Sequence, residues 1–267
     1  VDAVGWRMVF AVLAAITFAV AIWIWFGVPS RPSAAPAPPP LATQISQLGT
    51  LMRDPIFLAV APMLALTAGT QIAVQTLWAG PWLRDVAGLD EQGVADLLAF
   101  AAVAFLVGVL VSGTIADRLQ ARGVSLLTTM MGFLVLFIAA QAALIAELLS
   151  YNALIWFIYG MSGQVAVLAY PWLAQYFGAE RAGRSNAAIN LSLFATAFAL
   201  QYAIGLVIDL YPKIGDGYPP EAYRTAFAIA LAMQLAAVLW FLRHRAEIRK
   251  IDLAFRSGAH VSSSRRG

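Results

Sequence analysis

Seven long stretches without a charged residue divide this chain, and its basic residues gather on alternate connections between them. The stretches are 8–28, 55–83, 97–116, 123–146, 148–179, 185–208 and 225–242. A helix needs about 20 apolar residues to cross roughly 30 Å of hydrocarbon, so each stretch is a candidate span. The backbone of such a segment must close its hydrogen bonds internally, by helix or by closed barrel. A barrel would show alternating strands of about ten residues. Here the runs are twice that length and rich in Ala, Leu and Phe, which predicts an all-α membrane protein with seven transmembrane helices.

Composition agrees. The chain is 61% hydrophobic and 12% charged, about half the charge of a soluble domain. With no cysteine, disulfides, thiol catalysis and thiolate metal sites are excluded. The sequence calls for no cofactor and no metal. The net charge of +3 is a matter of topology, not of a nucleic-acid partner. If the first helix runs inward, the inner connections hold 13 of the 17 Lys and Arg residues. The positive-inside rule then places the N-terminus outside and the C-terminus in the cytoplasm, across a plasma membrane such as the bacterial inner membrane.

Residues 29–44 read PSRPSAAPAPPPLATQ, a Pro/Ala linker that cannot continue a helix. It sets 1–28 apart as the last helix of a preceding bundle, with 29–54 a cytoplasmic linker, 55–243 a six-helix bundle and 244–267 a basic cytoplasmic tail. The opening Asp2-Ala3-Val4-Gly5-Trp6-Arg7 reads as a loop arriving from upstream, which makes the chain the C-terminal part of a longer protein; a processed N-terminus is the alternative. Asp54-Pro55 is an N-cap followed by a first-turn proline. Helices are predicted at 55–81, 93–117, 123–147, 153–177, 185–209 and 223–243. Gly108, Ser112, Gly113 and Gly132, and later Gly160 and Gly163, are read as points of close helix approach. Pro62 and Pro171 free the carbonyls of Leu58 and Val167 from their helical donors.

Polar residues inside the spans are few. Thr67, Gln71, Gln75 and Trp78 fall on one face of a helix, as do Asn186, Asn190 and Gln201 on another. Tyr159 and Gln164 lie along 153–177, Gln141 along 123–147 and Gln234 along 223–243. Each could be an interhelical hydrogen bond worth about 0.6 kcal/mol. The stripe on 55–81 reads better as a cavity lining, because lipid does not tolerate such a face cheaply. No acidic or basic side chain lies in the middle of a span; Asp96, Glu147 and Asp209 sit near helix ends.

The most specific local pattern is Gly113-Thr114-Ile115-Ala116-Asp117-Arg118-Leu119-Gln120-Ala121-Arg122-Gly123, on a short inner connection. Gly-x-x-x-Asp-Arg-x-x-x-Arg between the second and third helices of a six-helix bundle resembles the loop signature of the major facilitator superfamily. Gly5-Trp6-Arg7, the Pro-rich linker, Leu77–Asp85 and Phe177–Asn186 are similar to the family's sixth-helix start, central loop, seventh-helix end and penultimate inner loop. The resemblance covers 5–243 and lacks the family's first five helices. It implies one helix plus a six-helix bundle of major-facilitator type, in a secondary active transporter working by alternating access. It also implies the lipid bilayer, a small polar solute, a coupling proton or ion and a missing N-terminal helical bundle as partners. Gln71, Gln75, Trp78, Tyr159, Gln164, Asn190 and Gln201 are then the candidate substrate-cavity residues. Gly113, Asp117, Arg118 and Arg122 are the candidate conformational latch.

Other readings fit parts of the pattern. A seven-helix receptor fits the helix number, but the chain has no Cys pair, no Asn-Pro in its last helix and no intramembrane Lys; a regulatory membrane protein stays open as the alternative, to be told from a transporter by substrate uptake. Gly160-Met161-Ser162-Gly163 matches the nucleophile motif of intramembrane serine proteases, yet both histidines, His244 and His260, lie in the tail, so Ser162 has no base within a span.

Overall fold

The computed structural model describes residues 5–28, 40–163 and 165–256. The chain divides into two compact units at Gln44/Ile45. The first carries α1 (Gly5–Gly27), apolar on every face, as befits a helix whose solvent is lipid. After α2 (Leu41–Met52), the second unit holds α3 (Pro55–Ala73), α4 (Ala79–Asp85), α5 (Glu91–Ala121), α6 (Leu126–Ile145), α7 (Asn152–Ser162), α8 (Val165–Phe177), α9 (Ala182–Ile208), α10 (Pro220–Arg243) and α11 (Arg245–Arg256). Among the described residues seven segments are long and apolar enough to cross a membrane.

Local chemistry sets the helix ends. Asp54 Oδ1 accepts from the amides of Ile56 (2.8 Å) and Phe57 (3.1 Å), with Pro55 in the first turn where its missing N–H costs nothing. Asp90 caps α5 through Gly93 N, and Ser125 caps α6 through Thr128 N. The α5 helix runs four residues beyond the predicted 117. It stops in a Schellman turn, where Gly123 (φ 82°) lets its own amide reach Gln120 O and that of Val124 reach Leu119 O.

On α5, packing is inverted relative to a soluble bundle. The buried face of α5 is Ala101, Ala104, Gly108, Ser112 and Ala116, all small, while Val103, Leu106 and Leu110 point outward. With lipid outside, nothing drives large side chains inward, and close backbone approach is what helix association gains from. A methyl on Gly160 would sit 2.8 Å from Ala101 O, so α5 and α7 cross here backbone to backbone. A methyl on Gly69 would sit 2.8 Å from Thr196 Cγ2, which fixes the α3–α9 crossing. Gly113 and Gly132, expected to serve likewise, face open space within 4 Å; their helix faces have no neighbour there.

Two segments depart from the predicted regular helices. Residues 74–78 form a π-turn in which the Ala79 amide bonds Val74 O, five residues back. Pro81 lies just beyond and withholds the amide that Leu77 O would otherwise accept, so the ladder is loosened at this point. The stretch predicted as one helix over 153–177 is two, α7 and α8, with Gly163 closing the first. Two helices were not predicted, α2 inside the linker and α11 inside the tail. Ile248 of α11 is fully buried, and Phe255 packs edge-on against Trp172 at 6.0 Å. Pro62 behaves as the sequence suggests: the freed carbonyl of Leu58 accepts from the Trp240 indole at 3.0 Å.

Candidate functional site

The hydrophobic core of the second unit is in two parts. One lies toward Asp54, with Leu64, Leu134, Trp172, Ile189 and Phe241; the other lies toward Asp85, with Trp82, Phe137, Trp156, Ile204 and Tyr223. Between them runs a polar waist. Gln141 Nε2 donates to Gln234 Oε1 (2.6 Å), Gln234 Nε2 donates to Thr67 Oγ1 (3.0 Å), and Thr67 Oγ1 donates to Met63 O (2.7 Å). This chain joins α6, α10 and α3, and every member is buried. Each amide alone would be costly in such surroundings; bonded in series they hold three helices in register.

The break between α7 and α8 lies in the same waist. The last carbonyls of a helix have no donor of their own. Here Gly163 N takes Tyr159 O, and Gln71 Nε2 takes Gly160 O at 3.2 Å. Gln71 is thus a side-chain cap for α7, pressed so close that a methyl on Gly163 would overlap its carboxamide. Tyr159, fully buried, donates its hydroxyl to Thr70 O at 3.1 Å. A void of about 10 Å³ remains beside Thr70, Gln141 and Tyr159, which is room for one water and not for a solute.

A second polar group lies on the α3–α9 seam. Trp78 Nε1 donates to Gln201 O (3.1 Å), and Gln201 Nε2 donates to the exposed Thr76 Oγ1 (3.0 Å). The Trp78 ring closes on Gly205, where a methyl would lie 3.1 Å from it. Gln75, half-buried, has an enclosed Oε1 with no donor among the described residues. Further along α9, exposed Asn190 accepts from the Tyr170 hydroxyl of α8, and Asn186 Oδ1 is buried without a donor. The π-turn explains why the predicted stripe splits. Thr67 meets α10 and Gln71 meets α7, but one extra residue turns the chain by about 100°, and Trp78 reaches α9 instead.

The sequence candidates therefore do not fall in one place. Gln71 and Tyr159 sit inside the waist with polar atoms bonded to backbone; Trp78 and Gln201 sit on the seam, Gln75 lies in the π-turn next to it, and Asn190 lies further along α9 against α8. Gln164 lies outside the described residues. Of the latch candidates, Gly113 is half-buried, and Asp117, Arg118 and Arg122 are exposed with no ion pair among the described residues. Ser162 is buried and donates to Ile158 O. His244, at the end of α10, has its Nδ1 2.9 Å from Trp240 O, and His260 is outside the described residues.

Sequence reasoning missed Asp85. Its side chain is 4% exposed and accepts from Tyr223 Oη (2.6 Å), Tyr218 N (3.1 Å) and Arg84 Nε (2.8 Å). Gly217 lies against it so closely that a methyl there would be 2.6 Å from the carboxyl carbon. One carboxylate thus ties the connection between α9 and α10 to the end of α4. In that connection Tyr218 donates to Asp209, and this bond to a carboxylate pushes the phenol above its usual range. Arg224 pairs with Glu147 at 2.8 Å, joining α10 to the turn after α6.

The Major Facilitator Superfamily model matches residues 1–206. No curated protein matches the chain.

Proposed function

The chain belongs to the major facilitator superfamily, a family of membrane transporters, and from that premise we propose that it moves a small polar solute by alternating access as a secondary active transporter. Residues 55–243 form one lobe. Residues 1–28 are the last helix of the other lobe, 29–54 the cytoplasmic linker and 244–267 the cytoplasmic tail. A second bundle, preceding this one, completes the pathway. The membrane is the plasma membrane, with the N-terminus outside. The 13 to 4 division of basic residues supports that orientation.

The observation that carries the reading is the α3–α9 seam. Its polar groups are only partly consumed by the lobe's own packing: Gln75 Oε1 has no donor among the described residues, the Gln201 amide bonds Thr76 at an exposed position, and Asn190, bonded to Tyr170, is exposed. Transporter sites are built where helices are broken or unwound near mid-membrane, and the π-turn at 74–78 lies beside these side chains. Neutral amides and an indole suit a hydrogen-bonding solute better than a strongly charged one. The waist would serve as the stiff support, with Gln71 and Tyr159 positioning the seam from behind. The 113–122 connection would latch one state. If a proton drives the cycle, its carboxylate belongs to the other lobe, because no described span of this one carries an acid at its centre.

The chain has no cysteine, so single substitutions report access directly. Q75C, N190C and Q201C should react with a membrane-impermeant maleimide, from a side that changes as the pathway opens inward or outward. L106C and V135C, outward on α5 and α6, should stay unlabelled. Equal labelling of both sets would refute the reading.

A further inference from the structure

At the Asp54 end of the bundle a cleft of about 500 Å³ lies between the turn joining α2 to α3 and the turn joining α8 to α9. Arg53, Arg181 and Arg184 line it, and Leu51 and Phe177, both nearly buried, floor it. We propose that this cleft is a binding site for a phosphate ester, the phosphate held by the Arg53 and Arg184 guanidinium groups with Arg181 alongside, and the ester carbons resting on the floor.

Charge and geometry point the same way. Among the described residues the only acid lining the cleft is Asp54, and its carboxylate is engaged. Oδ1 caps α3 through two amides, and Oδ2 accepts from Tyr176 at 3.4 Å. Arg53 and Arg184 have no carboxylate partner among the described residues. Arginine presents a planar fork that matches phosphate oxygens in pairs. The placement also favours an anion: Arg53 precedes α3 and Arg184 lies in the first turn of α9, so two cations without a carboxylate partner among the described residues stand at the positive ends of two helices. The positive-inside rule explains why arginines lie at this end of the spans, but not why three of them share one cleft with an apolar floor. Arg118 and Arg122, at an inner connection like them, do not line it.

The ester has two possible sources, an anionic phospholipid headgroup or a soluble phosphate compound. Candidate spans begin at Pro55 and Ala179, so the cleft lies at the depth of headgroups and is open to either. The site does not depend on which solute the seam carries.

The test uses the purified full chain and native mass spectrometry, with phosphatidylglycerol, phosphatidylcholine, or glycerol 3-phosphate in detergent. R53Q/R184Q is the site variant. R118Q/R122Q is the charge-matched control, and R53K/R184K keeps the charge but removes the forks. Retention of phosphatidylglycerol but not phosphatidylcholine by the wild type, weakened about tenfold or more in R53Q/R184Q and unchanged in R118Q/R122Q, supports the site with lipid as its ligand. R53K/R184K should fall between the two. The same pattern with glycerol 3-phosphate and no lipid preference supports it with a soluble ligand. Equal weakening in both glutamine pairs would show a general charge effect and overturn the proposal. So would the absence of saturable binding in a wild type that keeps its thermal transition.

Discussion

Gln71 and Gly163 should be energetically coupled, because one side chain fills the space that the other position lacks. In G163A the new methyl overlaps the Gln71 carboxamide, so Gln71 must swing away and lose its bond to Gly160 O. Overpacking costs about 1–3 kcal/mol, and a buried carbonyl left without a donor costs about 1–3 kcal/mol. Because relaxation relieves part of each, about 2–4 kcal/mol is expected for the variant as a whole. Backbone strain adds nothing, since Gly163 has φ −68°, which alanine adopts freely. Q71A should cost a similar amount by removing the donor and leaving a void. In the double variant the methyl enters the space vacated by Gln71, and Gly160 O is already unpaired. Its total cost should stay near that of Q71A alone, a coupling about as large as the cost of G163A itself, about 2–4 kcal/mol, whereas independent sites add within about 0.5 kcal/mol. Unfolding measured by steric trapping in bicelles gives all four corners of the cycle. Additive costs would show that Gln71 does not close the end of α7, and the account of the waist would fail with them.

Asp85 should matter through its tyrosine and amide donors and not through its arginine, because Arg84 is 59% exposed and a surface ion pair is worth about 0–1 kcal/mol. D85A should lose about 3–5 kcal/mol, Y223F about 1–2 and R84A less than about 0.5, read as thermal shifts in that order. D85A should also open Lys213 to trypsin, and a loop that stays protected would contradict the tether. In the waist, Q234L should cost about 1–3 kcal/mol by orphaning Gln141, and Q141L/Q234L should recover most of that loss, because removing both partners removes the unsatisfied donor. Unfolding free energies that fall further in the double variant would refute the pairing.

What was legible in the sequence were the features that depend on composition and near neighbours. The spans follow from uncharged length, the Asp54 cap from two adjacent residues, and the small face of α5 from alanines and glycines at helical spacing. The amphipathic α11 was not predicted: Ile248, Ile251 and Phe255 recur at helical period among charges, a trace obscured by the tail's basic character. What escaped depends on partners far along the chain. Gln141 meets Gln234 across 93 positions and Asp85 meets Tyr223 across 138, so each looked like an isolated polar residue. The break after Ser162 escaped for a related reason: nothing in an apolar run with one more glycine ends a helix, and the end is held by Gln71 of α3, 89 positions before Gly160. The same holds for the π-turn, whose only local trace is Pro81, and it divides the predicted stripe between the waist and the α3–α9 seam. Residues that interrupt regular helix near the middle of the lobe thus do two things at once. They fix the packing of one helix pair, as Gln71 does at the end of α7, and they turn polar side chains toward another, as Trp78 is turned toward Gln201 of α9.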